Sequence, residues 1–386
     1  MKPSEQASVR SRIAPVDGLR AVAVLGVIWA HAWAFSGNPA VTVGSVNGLA
    51  LDLNRALSAV GTGVDLFFVI SGFCMYLMYA HEQSVFSLKA FAHFVKRRWL
   101  RIAPAFYAAA TVAAIGHFVA RGVFPWGDLI SHFSFSSILL PGMGGLSAPF
   151  WSLATEWHFY LILPLLIWTS IRLGFWATAA ISIVLSLAYR VWIFPFLPTL
   201  EVDLHAQLPA RLVEFIWGMC VARLYVEGTA LPRLLSGGSG FMIGIAIAYL
   251  GRVCAVTEVV RFSGTAGIVL RVASEPILTL GYAIMVWNVI SSDSIFSRWL
   301  SHAIPQAIGR WSYSLYLWHW WPLVWICGLA VSEFGRSVVA QYLGFAAALA
   351  VLVPMSWLSY RVLEAPYFEA ARVQGGSHST ASREAA

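Results

Sequence analysis

Long apolar segments recur along almost the whole chain, separated by short polar stretches. Each approaches or exceeds the roughly 20 residues that an α-helix needs to cross a bilayer. They predict about ten transmembrane helices, at 19–36, 57–80, 102–120, 150–171, 174–197, 208–226, 240–257, 266–290, 308–330 and 337–362. The stretch 128–146 is also apolar but rich in Gly and Ser, and we expect it to be interfacial or re-entrant. The pattern therefore predicts an all-α, polytopic membrane protein.

Composition agrees with this prediction. The chain is 59% apolar and only 11% charged, whereas soluble domains carry about 25% charged residues. The four cysteines have neither metal-site nor redox spacing, so no zinc site or disulfide framework is indicated. The net charge of +7 does not indicate nucleic-acid binding here, because basic residues in membrane proteins mark cytoplasmic loops.

The positions of the basic residues predict the orientation. With a cytoplasmic N-terminus, 17 of the 25 Lys and Arg residues fall in predicted cytoplasmic segments and 5 in outside segments. This asymmetry satisfies the positive-inside rule, so both termini are expected to be cytoplasmic. We predict a cytoplasmic tail over 1–16, a membrane domain over 17–365 and a small, polar, disordered cytoplasmic tail over 366–386.

The first span carries two residues that are costly in a bilayer, Arg20 and His31. Eleven positions at ~100° each place both side chains on one helix face, about 16 Å apart along the axis. Such a pair suits two ends of one long anionic molecule, and a neutral histidine can act as a general base. Alternatively, His31 is a core histidine bonded to a neighbouring helix. Asp17 either holds the Arg20 guanidinium or is simply a carboxylate at a helix N-terminus.

A basic cluster lies in the segment "FVKRRWLRIAPAFY". Arg98 and Arg101 are three residues apart, and Arg97 and Arg101 four, so one helical turn points two guanidiniums the same way. Arginine forks suit phosphate oxygens, and Lys96 adds a point charge. The alternative is a positive-inside anchor that contacts lipid headgroups.

The segment "GVDLFFVISGF" brings a carboxylate and two small residues into one span. Asp65 begins this span and either pairs with an arginine in another span or contacts a substrate. Ser71 and Gly72 are small and permit close approach of another backbone.

Two further candidates lie in "PFWSLATEWHFYLILPLL" and "RWSYSLYLWHWWPLVW". We expect Glu156 to face inward, because a carboxylate facing lipid is the costlier alternative. There it would orient His31 or bind a sugar hydroxyl. His319 stands among several tryptophans, and we interpret it as a structural or acceptor-binding residue rather than the base.

In this order, five of these pieces resemble the acyltransferase-3 family of integral membrane proteins. They are "DGLRAVAVLGVIWAH", "GVDLFFVISGF", the Arg98–Arg101 pair before "IAPAFY", "FWSLATEWHFY" and "SYSLYLWH". The family acylates surface polysaccharides, lipopolysaccharide, nodulation factors and macrolides. The resemblance implies a ten-helix core, acyl-CoA as cytoplasmic donor and an acceptor reached from the other side. It also implies that His31, Arg20, Arg98 and Arg101 matter for activity, and it places Glu156 at the glutamate of the Trp-Ser-Leu motif.

The expected protein is thus an O-acetyltransferase of the bacterial cytoplasmic membrane. It would move an acyl group, first of all acetyl from acetyl-CoA, to a hydroxyl of a surface or exported glycan, with no metal and no nucleic-acid partner. The expected catalytic residues are His31 and Glu156, and Arg20, Arg98, Arg101, Lys96 and Arg97 are expected to bind the donor. Asp17, Asp65, Ser71 and His319 are expected to support substrate or structure. The alternatives are a transporter or flippase of a lipid-linked sugar, and a sensor or scaffold.

Overall fold

The computed structural model describes residues 13–46, 49–79, 88–194, 204–230, 232–261 and 265–367, so most of both predicted tails lies outside the described residues. This part of the chain is helical apart from loops and one antiparallel hairpin, β1 Thr42–Val46 and β2 Leu49–Asp52. The helices are α1 Ala14–Phe35, α2 Leu53–Ser58, α3 Gly63–Tyr79, α4 Leu88–Arg121, α5 Trp126–Phe133, α6 Trp151–Leu173, α7 Phe175–Ile193, α8 Leu208–Glu227, α9 Gly237–Arg261, α10 Thr265–Ser291, α11 Ile295–Leu300, α12 Ala303–Trp318, α13 Trp320–Phe334 and α14 Val338–Ser359. A π-helical turn, Tyr360–Glu364, follows α14.

In the described part of the chain, seven helices are long and apolar enough to cross a membrane. They are Ala14–Phe35, Lys89–Arg121, Ala148–Leu173, Phe175–Ile193, Gly237–Ala255, Gly267–Ser291 and Val338–Tyr367, and shorter apolar helices cover Gly63–Met78 and Trp320–Phe334. The all-α, polytopic membrane fold is therefore confirmed. The number ten and the cytoplasmic location of both termini stay predictions.

Apolar side chains lie both in the core and on the outer surface of the bundle, whereas polar side chains within the helices tend to lie inside, as α7 shows. In α7, Ser182 and Ser186 are buried, whereas Val184 and Leu185 on the opposite face are 63% and 61% exposed. Ser186 donates a hydrogen bond to the carbonyl of Ala210 on α8. A buried hydroxyl in hydrocarbon needs such a partner.

Glycines allow α3 and α8 to pack backbone against backbone. A Cβ atom on Gly72 would lie 2.0 Å from the carbonyl oxygen of Phe215, and one on Gly218 would lie 1.9 Å from that of Val69. Both distances are far inside van der Waals contact, so only glycine fits at either position. The expectation that Ser71–Gly72 permits close approach is confirmed.

Two elements differ from their predictions. The helix predicted to begin at 102 begins at Leu88, so the basic cluster belongs to α4 rather than to a loop. The span predicted over 308–330 is two helices, α12 and α13, which are separated at His319. Pro322 explains the break, because it has no N–H for the carbonyl of Trp318 and its ring clashes with that carbonyl.

The stretch 128–146 forms no span of its own. It contains most of the short helix α5 and a 3₁₀ turn at Ser137–Leu139, followed by further turns. Asp128 accepts a hydrogen bond from the backbone of Gly145, which folds the stretch back on itself. Phe135 stacks on Trp157 of α6, so the stretch packs against the helices on either side of it in the sequence.

A group of ion pairs lies buried among α3, α7, α8 and α10. Arg211 Nη2 contacts Asp65 Oδ1 at 2.7 Å, and Arg211 Nε contacts Glu214 Oε1 at 3.0 Å. Arg190 pairs with Glu275. The prediction that Asp65 pairs with an arginine in another span is confirmed, and charged groups are tolerated in the bundle because they face each other.

We expect Asp65→Ala to lower the free energy of unfolding by about 3–5 kcal/mol, because the buried Arg211 guanidinium loses its contact at Nη2 and keeps only Glu214 as a counter-charge in the described part of the chain. Unfolding by SDS in mixed micelles measures this change. Glu227→Ala is the matched control, since the exposed Arg223–Glu227 pair should contribute no more than about 1 kcal/mol. Equal stability of the two variants would show that Asp65 does not compensate a buried charge.

Candidate functional site

A cavity of about 110 Å³ lies among α1, α3, α4, α6 and α12. Its wall combines aromatic, cationic, anionic and hydroxyl groups inside an otherwise apolar bundle. The polar and ionisable residues of its lining are Asp17, Arg20, Ser71, Cys74, Arg101, Ser152, Glu156, Tyr160, Arg310, Ser312, Tyr313, Tyr316 and Glu364. Five residues predicted to be functional, namely Asp17, Arg20, Ser71, Arg101 and Glu156, therefore meet in one place.

Arg20 is held against the cavity wall by two neighbours. Its Nη1 donates to Asp17 Oδ1 at 2.7 Å, and its Nη2 contacts Cys74 Sγ at 3.4 Å. Asp17 lies one helical turn before Arg20, so the pair forms within α1 as the i,i+3 spacing predicts. The prediction that Asp17 holds the guanidinium is confirmed.

Glu156 faces the cavity, as predicted, with two hydroxyl groups bound to its carboxylate. Ser71 Oγ donates to Glu156 Oε1 at 2.8 Å, and the Tyr160 hydroxyl donates to the same oxygen at 2.5 Å. The predicted alternative in which Glu156 orients His31 is not what the structure shows, because the ring partner of His31 is His319. Glu156 instead organises a polar cluster on the wall formed by α3 and α6.

Arg98 lies beside the cavity and is unusually desolvated. The residue is 6% exposed, its Nη2 contacts Met78 Sδ at 3.2 Å, and its guanidinium carbon lies 6.0 Å from the ring centroid of Tyr160. Its Nε and Nη1 are buried with no hydrogen-bond partner among the described residues. Buried cationic donors in this state are costly unless an anion approaches them.

The basic cluster splits over two sides of α4. Arg98 and Arg101 face inward, and Arg101 reaches the cavity lining. Lys96 is exposed, because two residues correspond to ~200° around the helix from Arg98. Arg97 is half-buried and is not part of the cavity lining. The structure thus separates Lys96 and Arg97 from the other predicted donor-binding residues.

The two histidines of the sequence analysis contact each other. His31 Nδ1 and His319 Nε2 are 3.1 Å apart, and His319 Nδ1 lies 2.6 Å from the carbonyl oxygen of Tyr316. His319 is fully buried, whereas His31 is half-buried against the rings of Trp320 and Phe35. His319 therefore meets His31 directly, although they are 288 residues apart.

Tyr316 borders both the cavity and the histidine pair. Its phenol lines the cavity, donates to the carbonyl of Pro149 at 2.8 Å and lies 2.7 Å from Ser152 Oγ. The sequence analysis expects Arg20 and His31 to contact two ends of one long molecule. In this structure His31 is not part of the cavity lining, so the two side chains do not share one open space. Between them, Val24 and Val27 of α1 pack into one apolar cluster with Leu315 and Tyr316.

Sequence reasoning missed several residues of the lining. Tyr160 had a signal, because it follows Glu156 by one helical turn. Tyr316 lies inside a motif that was noticed for other residues, and Cys74 directly follows the segment "GVDLFFVISGF". Glu364 had no local signal: it lies in the π-helical turn after α14, is buried, and accepts a hydrogen bond from Ser314. Such turns are frequent at functional sites.

Comparisons with known proteins agree with the geometry. A family model described as an acyltransferase domain, that of the acyltransferase-3 family, matches residues 13–361. A Staphylococcus aureus (strain COL) protein, provisionally named an O-acetyltransferase, is 24% identical over 91% of this chain and 56% of its own length. The exopolysaccharide production protein ExoZ of Rhizobium meliloti (strain 1021) is 25% identical over 84% of this chain and 94% of its own length.

The match extends over nearly all of the membrane bundle. The chain spans little more than half the length of the staphylococcal relatives that it matches, and no solved structure matches it. The family model, in contrast, covers every helix from α1 to α14. It therefore includes the histidine pair and every residue of the cavity lining except Glu364. The chain belongs to the acyltransferase-3 family of integral membrane proteins.

Proposed function

We propose that this protein is an O-acyltransferase that moves an acyl group, with acetyl the first candidate, from acyl-CoA to a hydroxyl of a surface or exported glycan. One observation carries the proposal. Arg20, Arg101 and the desolvated Arg98 group around a cavity inside the bundle, and Tyr316 connects that cavity to a pair of imidazoles. Family membership and the provisionally named O-acetyltransferase relatives support the same reaction.

The donor suits the cationic side of the cavity. Coenzyme A carries phosphates at one end, and guanidinium forks bind phosphate oxygens with short, charge-assisted hydrogen bonds. The free Nε and Nη1 of Arg98 and the guanidinium of Arg101 would hold those phosphates. Hydroxyl and carboxylate groups of Ser71, Glu156 and Tyr160 would contact the amides of the pantetheine arm. Glu156 then binds donor rather than orienting the base.

The thioester supplies an activated acyl carbon and a thiolate leaving group. His31 takes the proton from an acceptor hydroxyl as that oxygen attacks the acyl carbon, and the C–S bond then breaks. The imidazolium returns the proton to the departing sulfur, so His31 ends as it began. For the acyl group to reach His31 from the cavity, Tyr316 must leave its contacts with Ser152 and Pro149.

The glycan acceptor is supported by one relative. ExoZ is named for exopolysaccharide production and aligns along almost its whole length. By the positive-inside rule, the basic residues support a position of the Arg98 end of α4 at the cytoplasmic face of a bacterial cytoplasmic membrane. Acyl-CoA is available at that face. A transporter or flippase of a lipid-linked sugar would use the same cavity for binding but would leave acyl-CoA intact.

We expect His31→Ala to abolish acyl transfer, by about 10²–10⁴-fold, which is the usual contribution of a general base. Membrane vesicles supplied with labelled acetyl-CoA report transfer as label in the glycan fraction and as free CoA. His302→Ala, at an exposed histidine, is the matched control and should keep activity. Transfer at the wild-type rate by His31→Ala would exclude His31 as the base.

We expect the double variant Arg98→Ala, Arg101→Ala to need at least about tenfold more acyl-CoA for half-maximal rate, because it loses charge-assisted hydrogen bonds of about 1.5–3 kcal/mol each. Initial rates over a range of donor concentrations measure this change. Lys96→Ala removes an exposed charge of the same helix and should leave the donor requirement unchanged. An identical effect of both variants would mean that the cluster acts only through overall charge.

We expect a small methanethiosulfonate reagent to inactivate the protein by modifying Cys74, whose thiol lies on the cavity wall beside Arg20. Acyl-CoA should slow the inactivation, because donor in the cavity blocks access to that thiol. The Cys74→Ala variant, compared with its own untreated activity, should be insensitive. Inactivation of that variant at the same rate, or no protection by acyl-CoA, would place the donor elsewhere.

A further inference from the structure

We infer that His319 is a positioning residue that fixes the tautomer of His31 and leaves the Nε2 atom of His31 free to accept a proton. The inference rests on the proposed function, because it assigns a way of setting up the base for acyl transfer. It goes further by giving the second histidine a defined chemical task. The observation behind it is the chain of contacts from the Tyr316 carbonyl through His319 to His31.

The direction of each hydrogen bond follows from the Tyr316 carbonyl, which stands at one end of this series of contacts. A backbone carbonyl oxygen only accepts, so the 2.6 Å contact requires that His319 Nδ1 carries a proton and donates it to Tyr316. A neutral imidazole has one N–H group, so His319 Nε2 presents a lone pair. The 3.1 Å contact with His31 then requires that His31 Nδ1 is the donor. The His31 ring is also hydrogen-bonded to the backbone of Val27, one turn earlier in α1, and a carbonyl there accepts as well. His31 Nε2 keeps its lone pair, which a general base needs.

Burial makes the neutral form of His319 the relevant one. The residue is 0% exposed. Its ring contacts Leu315, Tyr316 and His31, none of which carries a carboxylate. An imidazolium without a counter-charge in such a place is costly. Water does not compete for either ring nitrogen, so the two hydrogen bonds hold the ring orientation.

The break between α12 and α13 explains why the Tyr316 carbonyl is available to the His319 ring. Tyr316 lies in the last turn of α12, where backbone carbonyls lose their partners within the helix. Pro322 forces α12 and α13 to separate at His319, and the His319 ring turns back onto the carbonyl three residues earlier. An uninterrupted helix would keep that carbonyl for its own backbone.

During acyl transfer a single proton moves from the acceptor hydroxyl to the thiolate by way of His31. His31 Nε2 takes the proton of the acceptor hydroxyl, the new C–O bond forms, the C–S bond breaks, and the proton passes from His31 Nε2 to the thiolate. The Nδ1–H of His31 stays bonded to His319 throughout, and this bond strengthens while His31 is an imidazolium. His319 exchanges no proton, as an orienting group does in a catalytic triad.

A substitution series at His319 separates accepting from donating groups. His319→Gln offers an amide oxygen that accepts from His31 Nδ1, whereas His319→Lys only donates and forces His31 to present a lone pair at Nδ1 and a proton at Nε2. His319→Leu does neither. We expect His319→Gln to keep kcat within about tenfold of wild type, and His319→Lys to lose about 10²–10⁴-fold, as expected for the wrong tautomer. The KM for acyl-CoA should stay constant, because His319 is outside the donor-binding wall.

The tautomer itself is measured by ¹⁵N solid-state NMR of histidine-labelled protein in nanodiscs, with a His31→Gln sample to identify the signals of His31. We expect a protonated Nδ1 and an unprotonated Nε2 on His31 in the wild-type protein. CoA binding to each variant checks that it is folded. This measurement needs no variant at His319, so a proton on His31 Nε2 would overturn the inference even where a substitution there prevents folding.

The outcomes distinguish the inference from the function on which it rests. Full activity of His319→Lys while His31→Ala is inactive would overturn the positioning role and leave the acyltransferase intact. A proton on His31 Nε2 in the wild-type spectrum would do the same. Full activity of His31→Ala would remove His31 as the base and with it the reason for setting its tautomer. The inference is supported if His319→Gln is the one variant of the His319 series that keeps activity and if His31 Nδ1 is protonated in the wild-type spectrum.

Discussion

A charge inside a lipid bilayer must be compensated, and the ways in which this bundle compensates its charges organise the rest of the structure. Asp65, Arg211 and Glu214 compensate one another in direct contacts. Arg20 is compensated by Asp17. Arg98, in contrast, keeps two buried nitrogens that find no hydrogen-bond partner in the part of the chain that the structure describes. Because unsatisfied cationic donors are costly in hydrocarbon, their presence beside a cavity is the sharpest physical reason to look for an anionic ligand there.

The polar groups of the interior fall into two zones with different chemistry. Around Arg20, Arg101 and Glu156 the wall is charged, which suits binding of a polar, anionic molecule. Around His31 and His319 the nearest rings are Trp320, Phe35 and Tyr316, and the hydrogen bonds are those of neutral groups. Under the proposed function, binding takes place in the first zone and proton transfer in the second, with Tyr316 at the boundary.

The sequence predicts the composition of these zones better than their arrangement. Hydropathy alone gives the all-α, polytopic fold, and helical spacing gives the Asp17–Arg20 contact and the common inward face of Arg98 and Arg101. Arg20 and His31 do not share one open space, because helix geometry fixes the direction of a side chain but not what fills the space before it. The His31–His319 contact joins residues 288 positions apart, and no local pattern contains it. Glu364 enters the cavity through a π-helical turn, which helical periodicity does not anticipate.

The break at Pro322 shows how one local rule creates a site that no single helix could hold. If α12 and α13 were one straight helix, as the apolar pattern over 308–330 suggests, the carbonyl of Tyr316 would be bound within that helix and the His319 ring would point wherever its position on the helix dictated. Pro322 removes the backbone partner of the Trp318 carbonyl and ends α12 at that residue. In the last turn of α12 a fully buried histidine takes the carbonyl of Tyr316 as its partner. A histidine bound in this way has one remaining nitrogen, and that nitrogen can only accept. The residue that contacts this nitrogen is His31, which lies near the end of the first span that is farther from Arg20. The chemistry of the proposed base thus depends on a backbone defect in another helix rather than on any charge nearby.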